Sequence, residues 1–322
     1  MRKNMLSKIK INHRFTNQIK LISTIVLCCC LAGYSQEIKP FNPSLHALQN
    51  VRDFCISPNN EEAFFSVQSP NQDLSQIATI RMENGHWTEP ELLPFCDAFM
   101  YLEPFLSYDG TKLYFASDRP LDDSIKVKKD FDIWYVERKD NRGEWSKPMN
   151  IGSPVNSTFD EFYPTLALNN NLYFTMDAAS GLGKDDIYFC EWKGSEYSIP
   201  VLLNENINSE GYEFNAFISK DESFLMYTKY NALGGFGSGD LYISRKNENG
   251  EWQTAKNLGQ VINSKYMEYC PFYDATNEIL YFTSKRNTLT SQKFENFSTF
   301  KSYIQEGENG LSRIYYCNIS LY

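Results

Sequence analysis

The sequence has little of what enzyme and metal sites usually require. Its 322 residues include only three histidines, and it has neither an HExxH string nor cysteines at metal-ligand spacing. The Gly-x-Ser-x-Gly string that presents a nucleophilic serine in many hydrolases is also missing. These absences disfavour a metal site, a cofactor and a serine hydrolase, and they favour a non-enzymatic role. Paired carboxylates for glycoside cleavage stay open, because the 40 acidic residues offer many pairs of unknown separation.

Basic residues are scarce outside the first 35 residues. Six of the 31 lysines and arginines lie in that leader, which has no acidic residue, so residues 36–322 carry 25 basic and 40 acidic side chains. The resulting formal charge of −15 disfavours the concentrated basic surface that binds nucleic acid. It also disfavours attraction to an anionic membrane surface.

Residues 1–35 have the pattern of a signal peptide. A basic leader precedes an apolar run from Leu21 to Ala32, and Gly33 and Ser35 then place small residues before a cleavage site. The run is too short to span a membrane, and no later segment is long and apolar enough to do so. We therefore expect a periplasmic or secreted protein whose mature chain begins at Gln36.

The eight cysteines fall into two groups. Three are consecutive in the leader, but the large Leu27 before them fits lipoprotein processing poorly, so a lipid anchor is the minority interpretation. The mature chain keeps an odd number with no metal-ligand spacing, namely Cys55, Cys96, Cys190, Cys270 and Cys317. Export permits a disulfide, but the spacing names no pair.

One short pattern recurs five times after residue 50. Its clearest copy, residues 103–117, reads as a strand, an Asp109-Gly110 turn and a second strand rich in aromatic residues. Each copy continues with a third strand, such as 132–135, and four copies add a fourth element that contains Trp or Tyr after a glycine. Four strands at a period of 50 to 60 residues indicate one propeller blade per copy.

The repeat predicts an all-β fold, a five-bladed β-propeller with four strands in each blade. The fifth copy ends at Tyr322 without a fourth strand, and the segment Pro40–Leu45 resembles the fourth strands of the other copies. We expect this N-terminal segment to complete the last blade and close the ring. A ring of six blades is the alternative. Residues 36–322 then form a single domain.

A helical insertion is predicted at 290–306, inside the last blade. Phe294, Phe297, Phe300 and Tyr303 fall at helical spacing there, as in an amphipathic helix. We expect the apolar face of this helix to pack on the propeller rather than to bind a partner.

The string Pro104–Ser117 resembles the PD40 repeat, the WD40-like propeller repeat of TolB-type proteins, and so do Gly183–Tyr188 and Gly237–Tyr242. The resemblance covers nearly all of the mature chain. It departs in the last copy, where Arg313 stands in place of the acidic residue. It implies a periplasmic or secreted propeller that serves as a protein-interaction platform of the cell envelope. It implies no single ligand, because the same fold also carries lyases and accessory domains of hydrolases.

Candidate binding residues gather at one predicted end of the propeller. The loops between second and third strands, and those between blades, share this end, and several are long, such as 118–131 and 284–312. Function usually lies on long loops held by a rigid scaffold. The candidates at this end are Glu103, Asp118, Arg119, Glu161, Asp177, Glu213, Lys229, Glu268, Lys285 and Arg286.

The glutamates of this set are predicted to occupy one position in successive blades: Glu103, Glu161, Glu213 and Glu268, with Asp53 in the first copy. Such a ring would bind a cation or a cationic peptide, but a residue needed in every unit is more often structural. We therefore expect each to bond to neighbouring backbone or arginine. The favoured function is an exported binding module for envelope proteins, with a glycan as a further candidate ligand. A carbohydrate-active hydrolase or lyase is the alternative.

Overall fold

The chain forms a five-bladed β-propeller, as the repeat predicts. A computed structural model describes residues 37–322 except residues 123 and 126, and it contains five antiparallel sheets. The predicted signal peptide lies outside the described residues. Four sheets have four strands, and the sheet of the first blade has a fifth short strand, Glu91–Leu92, beside its strand Ser75–Glu83.

The blades follow one another along the chain. The first contains β2 Asn50–Ile56, β3 Glu62–Gln68, β4 Ser75–Glu83, β5 His86–Trp87 and β6 Glu91–Leu92. The second contains β7 Tyr101–Leu106, β8 Lys112–Ser117, β9 Asp132–Glu137 and β10 Met149–Asn150. The third contains β11 Glu161–Leu166, β12 Leu172–Met176, β13 Asp186–Cys190 and β14 Val201–Leu202. The fourth contains β15 Glu213–Ile218, β16 Phe224–Tyr230, β17 Gly239–Arg245 and β18 Lys256–Asn257. The fifth contains β19 Glu268–Asp274, β20 Ile279–Ser284, β21 Arg313–Asn318 and β1 Lys39–Pro40.

The first strand of every blade carries the same irregularity. Its register with the second strand shifts near the middle, for example between Leu102 and Phe105. One residue inside each shift has a positive φ of 50 to 62°: Asp53, Glu103, Tyr163, Asn215 and Cys270. Such a conformation is uncommon for residues other than glycine. This bulge gives all five blades one side chain that differs in direction from its strand neighbours.

The N-terminal segment closes the ring, as predicted. Strand β1 pairs with β21, with Lys39 opposite Tyr316. The strand is shorter than expected, because Pro43–Ala47 forms a 3₁₀ helix. The side chain of Asn42 caps this helix by accepting from the backbone N–H of Ser44 at 3.1 Å.

Arg313 explains why the last blade departs from the repeat. At this position the second and fourth blades have Asp132 and Asp240, whose carboxylates accept from an asparagine of their own fourth strand. In the last blade, the segment that follows the closing strand offers carbonyl groups instead. Arg313 is buried and donates to the carbonyl oxygens of His46, at 3.2 Å, and Gln49. Arg313 therefore joins the last blade to the N-terminal segment that closes the ring.

Aromatic residues of the fourth elements pack against the preceding blade. Trp145 meets Phe64 with ring centroids 6.1 Å apart, and Trp252 meets Tyr173 at 6.4 Å. Both pairs have the edge-to-face geometry that aromatic rings favour. The repeated Trp and Tyr residues therefore build the interfaces between blades.

The helical insertion differs from the prediction. Helix α1, Phe297–Gln305, begins at a capping box formed by Asn296 and Thr299. None of its residues is buried, and Phe297 is 76% exposed. The expectation that its apolar face packs on the propeller is wrong, because its aromatic residues contact mainly one another, as Phe300 contacts Phe294.

No helix among the described residues is long and apolar enough to cross a membrane.

Candidate functional site

The axis of the propeller is filled by polar side chains from all five blades. The five residues with positive φ meet there together with Arg52, and we call this group the axial plug: Arg52, Asp53, Glu103, Tyr163, Asn215 and Cys270. The Cys270 sulfur lies 2.8 Å from Asp53 Oδ1 and 3.3 Å from Asn215 Oδ1. Burial raises the pKa of this thiol, and the Asp53 carboxylate raises it further. The thiol is therefore a hydrogen-bond donor within the plug.

Glu103 is the most connected member of the plug. Its Oε2 accepts from the backbone N–H of Tyr163 at 2.7 Å, and its Oε1 accepts from Asn215 Nδ2 at 3.2 Å. Arg52 donates to the same Oε1 at 3.0 Å and to Asp53 Oδ1 at 2.6 Å. Both carboxylates of the plug are thus held by fixed donors.

One arginine faces two buried carboxylates in the plug. Burial and then the neighbouring Asp53 raise the pKa of Glu103 to about 8, although Arg52 opposes the shift. A proton held by Glu103 near neutral pH reduces the repulsion between the two acids. The plug is therefore close to electrically neutral when Glu103 is protonated.

A cavity of about 230 Å³ lies over the plug and opens at the long-loop end. Its lining is mixed: the apolar side chains are Leu102, Phe162, Phe214, Met267 and Tyr269, and the uncharged polar ones are Gln72, Thr175 and Asn215. Its charged lining residues are Arg52, Glu103, Asp185 and Lys285. Burial and then the nearby Asp177 raise the pKa of Asp185 to about 6, and burial and Arg52 lower the pKa of Lys285. We call this cavity the axial mouth.

The predicted ring of equivalent glutamates is wrong in its register. Glu103 has a positive φ and is equivalent to Tyr163, whereas Glu161 begins its strand and is equivalent to Tyr101. Glu213 and Glu268 share the Glu161 position. The four glutamates therefore lie at two different levels of the propeller.

Glu161, Glu213 and Glu268 fix the connections between blades. Each accepts from the backbone N–H and the hydroxyl of the serine four residues earlier, at 2.5 to 3.1 Å. The asparagine before each serine accepts from a backbone N–H of the preceding blade's third strand, at 2.8 to 2.9 Å. Burial raises the pKa of Glu161 to about 7. With Glu103, all four glutamates are hydrogen-bonded into the blades, as expected of structural residues.

Two further predicted residues belong to these connections. Arg286 donates from Nε to Glu268 Oε1 at 3.4 Å and lies over the Phe282 ring. The Lys229 ammonium lies 3.4 Å from Glu213 Oε1. Both cations stabilise the glutamates beside them and sit away from the axial mouth lining.

The remaining predicted residues lie around the long-loop end. Asp118 accepts from the Met100 N–H at 2.7 Å and pairs with Lys128 at 2.9 Å. Arg119 lies over the Trp134 ring at 5.0 Å, and Asp177 is exposed. Of the ten predicted residues, only Glu103 and Lys285 line the axial mouth.

Large exposed apolar side chains concentrate at the long-loop end. Of eighteen among the described residues, thirteen lie on its loops or at strand ends beside them. We call these thirteen the apolar rim: Leu74, Leu121, Ile125, Val127, Phe159, Leu182, Tyr230, Leu233, Phe236, Val261, Phe297, Phe300 and Ile304. Exposed apolar side chains mark an interaction site where they form a contiguous patch.

Several residues of the axial mouth were not predicted. Arg52, Asn215 and Asp185 are single members of repeated positions, each occupied by other residue types in the other blades. One signal does point to the plug: alignment of the copies on Pro104, Pro164 and Pro271 places Glu103, Tyr163 and Cys270 at one position. The available clue was that the residue type varies at this position although a proline follows it in three copies.

No group of three or more His, Cys, Asp or Glu side chains in the described part of the chain could hold a metal ion.

Solved structures are similar to this chain over most of its length. An α-L-arabinofuranosidase from Lactobacillus brevis has 12% identity and a TM-score of 0.50, and the match covers 85% of this chain and 95% of that one. A thermostable family-43 glycoside hydrolase has 11% identity and a TM-score of 0.51, with 83% and 88% covered. A TolB-like structure from Agrobacterium tumefaciens has 12% identity and a TM-score of 0.48, with 80% of each chain covered.

At these identities the similarity shows the fold alone. No protein-family model matches the sequence, and a search of curated proteins finds no match. The chain is a five-bladed β-propeller, similar in architecture to the glycoside hydrolase propellers named above.

Proposed function

We propose that this protein is an exported binding module that engages another protein through its long-loop end. The observation that carries the proposal is the apolar rim, because large apolar side chains on one end of a compact domain favour a protein partner. The axial mouth within this end offers apolar side chains and two half-buried cations, Arg52 and Lys285, to a partner side chain or chain end. The resemblance to PD40 repeats agrees with such a role in the periplasm or cell envelope.

A binding role is favoured over hydrolysis by the state of the carboxylates. A glycosidase needs two carboxyl groups free to act on a sugar, one as acid and one as base or nucleophile. Glu103 and Asp185 are the two that line the axial mouth, and Glu103 is held by Tyr163, Asn215 and Arg52. A hydrolase would require Glu103 to leave these donors.

Site-directed photo-crosslinking in the producing cells tests the proposal. A benzophenone amino acid in place of Leu233, which is fully exposed on the apolar rim, is expected to give a discrete adduct with one protein after irradiation. The matched control is the same amino acid in place of Leu168, which is 66% exposed at the opposite end. Adducts from Leu168 but not from Leu233 would overturn the proposal.

The hydrolase alternative has its own measurement. The purified protein is incubated with arabinan and xylan, and released sugars are quantified for the wild type and for Glu103→Gln. We expect no release by either form. Release that disappears in Glu103→Gln would replace the binding role by glycoside hydrolysis.

A further inference from the structure

A large cavity lies between the first and second blades, away from the axial mouth. It measures about 980 Å³ and opens at the short-turn end, where residues 57–62 and 138–145 face each other. This volume is at the upper end of the range for small-molecule sites, about 300 to 1,000 Å³. We call it the flank cleft.

A charge triad lies in the flank cleft, formed by the buried Glu62 and Arg138 and the exposed Arg81. Glu62 of the first blade lies 2.7 Å from Arg138 Nη1 of the second blade and 3.1 Å from Arg81 Nη2. Arg138 also donates from Nε to the carbonyl oxygen of Gly110 at 2.8 Å. Its Nη2 is buried and has no hydrogen-bond partner among the described residues. A buried donor without a protein partner is usually satisfied by an ordered water molecule or by a ligand.

An aromatic side chain lines the cleft beside the triad. The Arg138 guanidinium lies over the Trp145 ring at 4.3 Å, and Trp145 lines the flank cleft. The indole Nε1 of Trp145 is likewise buried without a partner among the described residues. The residues that line the cleft therefore supply an aromatic ring and contain two buried donors without a partner among the described residues.

Comparison among the blades separates the structural part of this arrangement from the rest. Stacking at this position is repeated, since Lys246 lies over Trp252 in the fourth blade and Trp192 packs on Tyr197 in the third. The arginine with its unpaired Nη2 occurs in the second blade alone among these three. The stacked pair recurs and so helps to assemble the blades. The arginine occurs in one blade only and is not needed for that assembly, which indicates a binding role.

A second cavity, between the third and fourth blades, provides a comparison. It is about 490 Å³ and is lined by uncharged polar side chains with Glu251 and Trp252, so it has an aromatic residue but no arginine. The flank cleft has twice that volume and adds the triad.

We propose that the flank cleft binds a neutral oligosaccharide. Its polar lining mixes acceptors and donors, with carboxylates at Glu61 and Glu144, guanidinium groups at Arg138 and Arg142, and an amide at Asn59. Sugar hydroxyls both donate and accept, so neighbouring hydroxyls satisfy planar carboxylate, amide and guanidinium groups together. The Trp145 ring supplies the apolar surface for the C–H face of a pyranose.

The charge balance of the flank cleft disfavours an anionic ligand. Glu62 and Glu91 together balance Arg138 and Arg81, since Glu62 pairs with both arginines and Glu91 lies 3.5 Å from Arg81. The remaining charged lining residues are Glu61, Glu83, Glu144 and Arg142, so the cleft has a small excess of negative charge. A peptide is disfavoured as well, because charged and amide side chains outnumber apolar ones in the lining.

A glycan array followed by titration calorimetry tests this assignment on the purified protein. The array carries neutral oligosaccharides and uronic acid oligosaccharides, and the best neutral binder is then titrated into the wild type and variants. Arg142→Ala and Glu144→Gln lie in the exposed turn over the cleft, and we expect each to weaken the Kd by about tenfold. Asn249→Ala and Glu251→Gln change the equivalent turn of the fourth blade and are expected to leave the Kd within about twofold.

The outcomes are distinct. Weakening by the second-blade variants alone supports the flank cleft as the site. Binding confined to uronic acid oligosaccharides, no binding on the array, or equal weakening by the fourth-blade variants overturns it. Thermal unfolding of each variant checks that a lost titration signal reflects binding and not loss of fold. The result is independent of crosslinking at Leu233, which reports on the opposite end.

Discussion

At the scale of single residues, the positive φ in each innermost strand sets the centre of this propeller. A non-glycine residue in that conformation costs about 1 to 3 kcal/mol and persists only where surrounding contacts hold it. The contacts here are the hydrogen bonds of the axial plug, such as those of Glu103 with Tyr163 and Asn215. In three of the five blades, the sequence marks the position by the proline that follows it. It does not show that five different side chains meet, because their types follow no repeat.

Glu103 makes stability depend on pH. Its pKa is raised from 4.5 to about 8 in the folded chain, so the stabilisation is complete below about pH 4.5 and is lost as the pH rises through 8. We expect the free energy of unfolding to fall between pH 5 and 8, by up to about 1.4 kcal/mol per pH unit. In Glu103→Gln this slope becomes shallower. Urea unfolding at four pH values measures it, with the exposed Glu144→Gln as the control.

An unchanged slope in Glu103→Gln would contradict this assignment. The Glu161 and Asp185 carboxyls, whose pKa values are raised to about 7 and about 6, contribute slopes of the same sign at lower pH. The comparison between variants, rather than the wild-type curve alone, therefore isolates Glu103.

Asn263 shows how one amide joins two blades. It is fully buried, accepts from the Leu241 N–H at 2.8 Å and donates to the Leu241 carbonyl at 3.0 Å. We expect Asn263→Ala to lower the free energy of unfolding by roughly 3 kcal/mol, because both backbone groups of a buried strand lose a partner. Chemical unfolding measures the change. The exposed Asn249→Ala should stay within about 0.5 kcal/mol of the wild type. A loss below 1 kcal/mol in Asn263→Ala would show that water replaces the amide.

At the scale of elements, strands were more predictable than their surroundings. Alternating aromatic and polar residues with Asp-Gly turns indicate the first three strands of each blade. The fourth strands are only two residues long in the structure, for example Met149–Asn150, so they leave little pattern in the sequence.

Helix α1 was predictable from the spacing of its aromatic residues. That spacing identifies an apolar face but does not show whether another part of the protein packs against it. The equivalence of the glutamates failed for a related reason, since a two-residue slip keeps the same side of a strand.

The closing segment gives a prediction at this scale. Phe41 follows β1 and packs on Phe54 at 4.5 Å and on Tyr281 at 5.7 Å, which joins the first and last blades. We expect Phe41→Ala to lower the free energy of unfolding by about 3 kcal/mol. Phe297→Ala on the exposed helix is the matched control and should change it by less than about 0.5 kcal/mol. Urea unfolding of both variants measures these values. Equal effects of the two would argue that the ring is not closed at Phe41.

At the scale of the whole molecule, the two proposed sites lie at opposite ends of one rigid body. The apolar rim surrounds the axial mouth at the long-loop end, and the flank cleft opens at the short-turn end. If both proposals hold, a protein and an oligosaccharide bind simultaneously. We expect saturation with oligosaccharide to change the Kd for the protein partner by less than about twofold, because no hinge separates the ends. Titration calorimetry in the presence and absence of the sugar measures this. A larger change would reveal coupling through the blades.

Ring closure has a consequence for the order in which the protein folds. Strand β1 comes from the start of the described chain, and its partner β21 comes from near its end. Contacts between such distant segments form late, since the loop between them must first be ordered. Each earlier blade acquires its own strands as it is synthesised, but the last sheet and the contacts of Phe41 and Arg313 wait for β21. Completion of the propeller is thus delayed until β21 has been delivered, which suits the export that we propose for this protein.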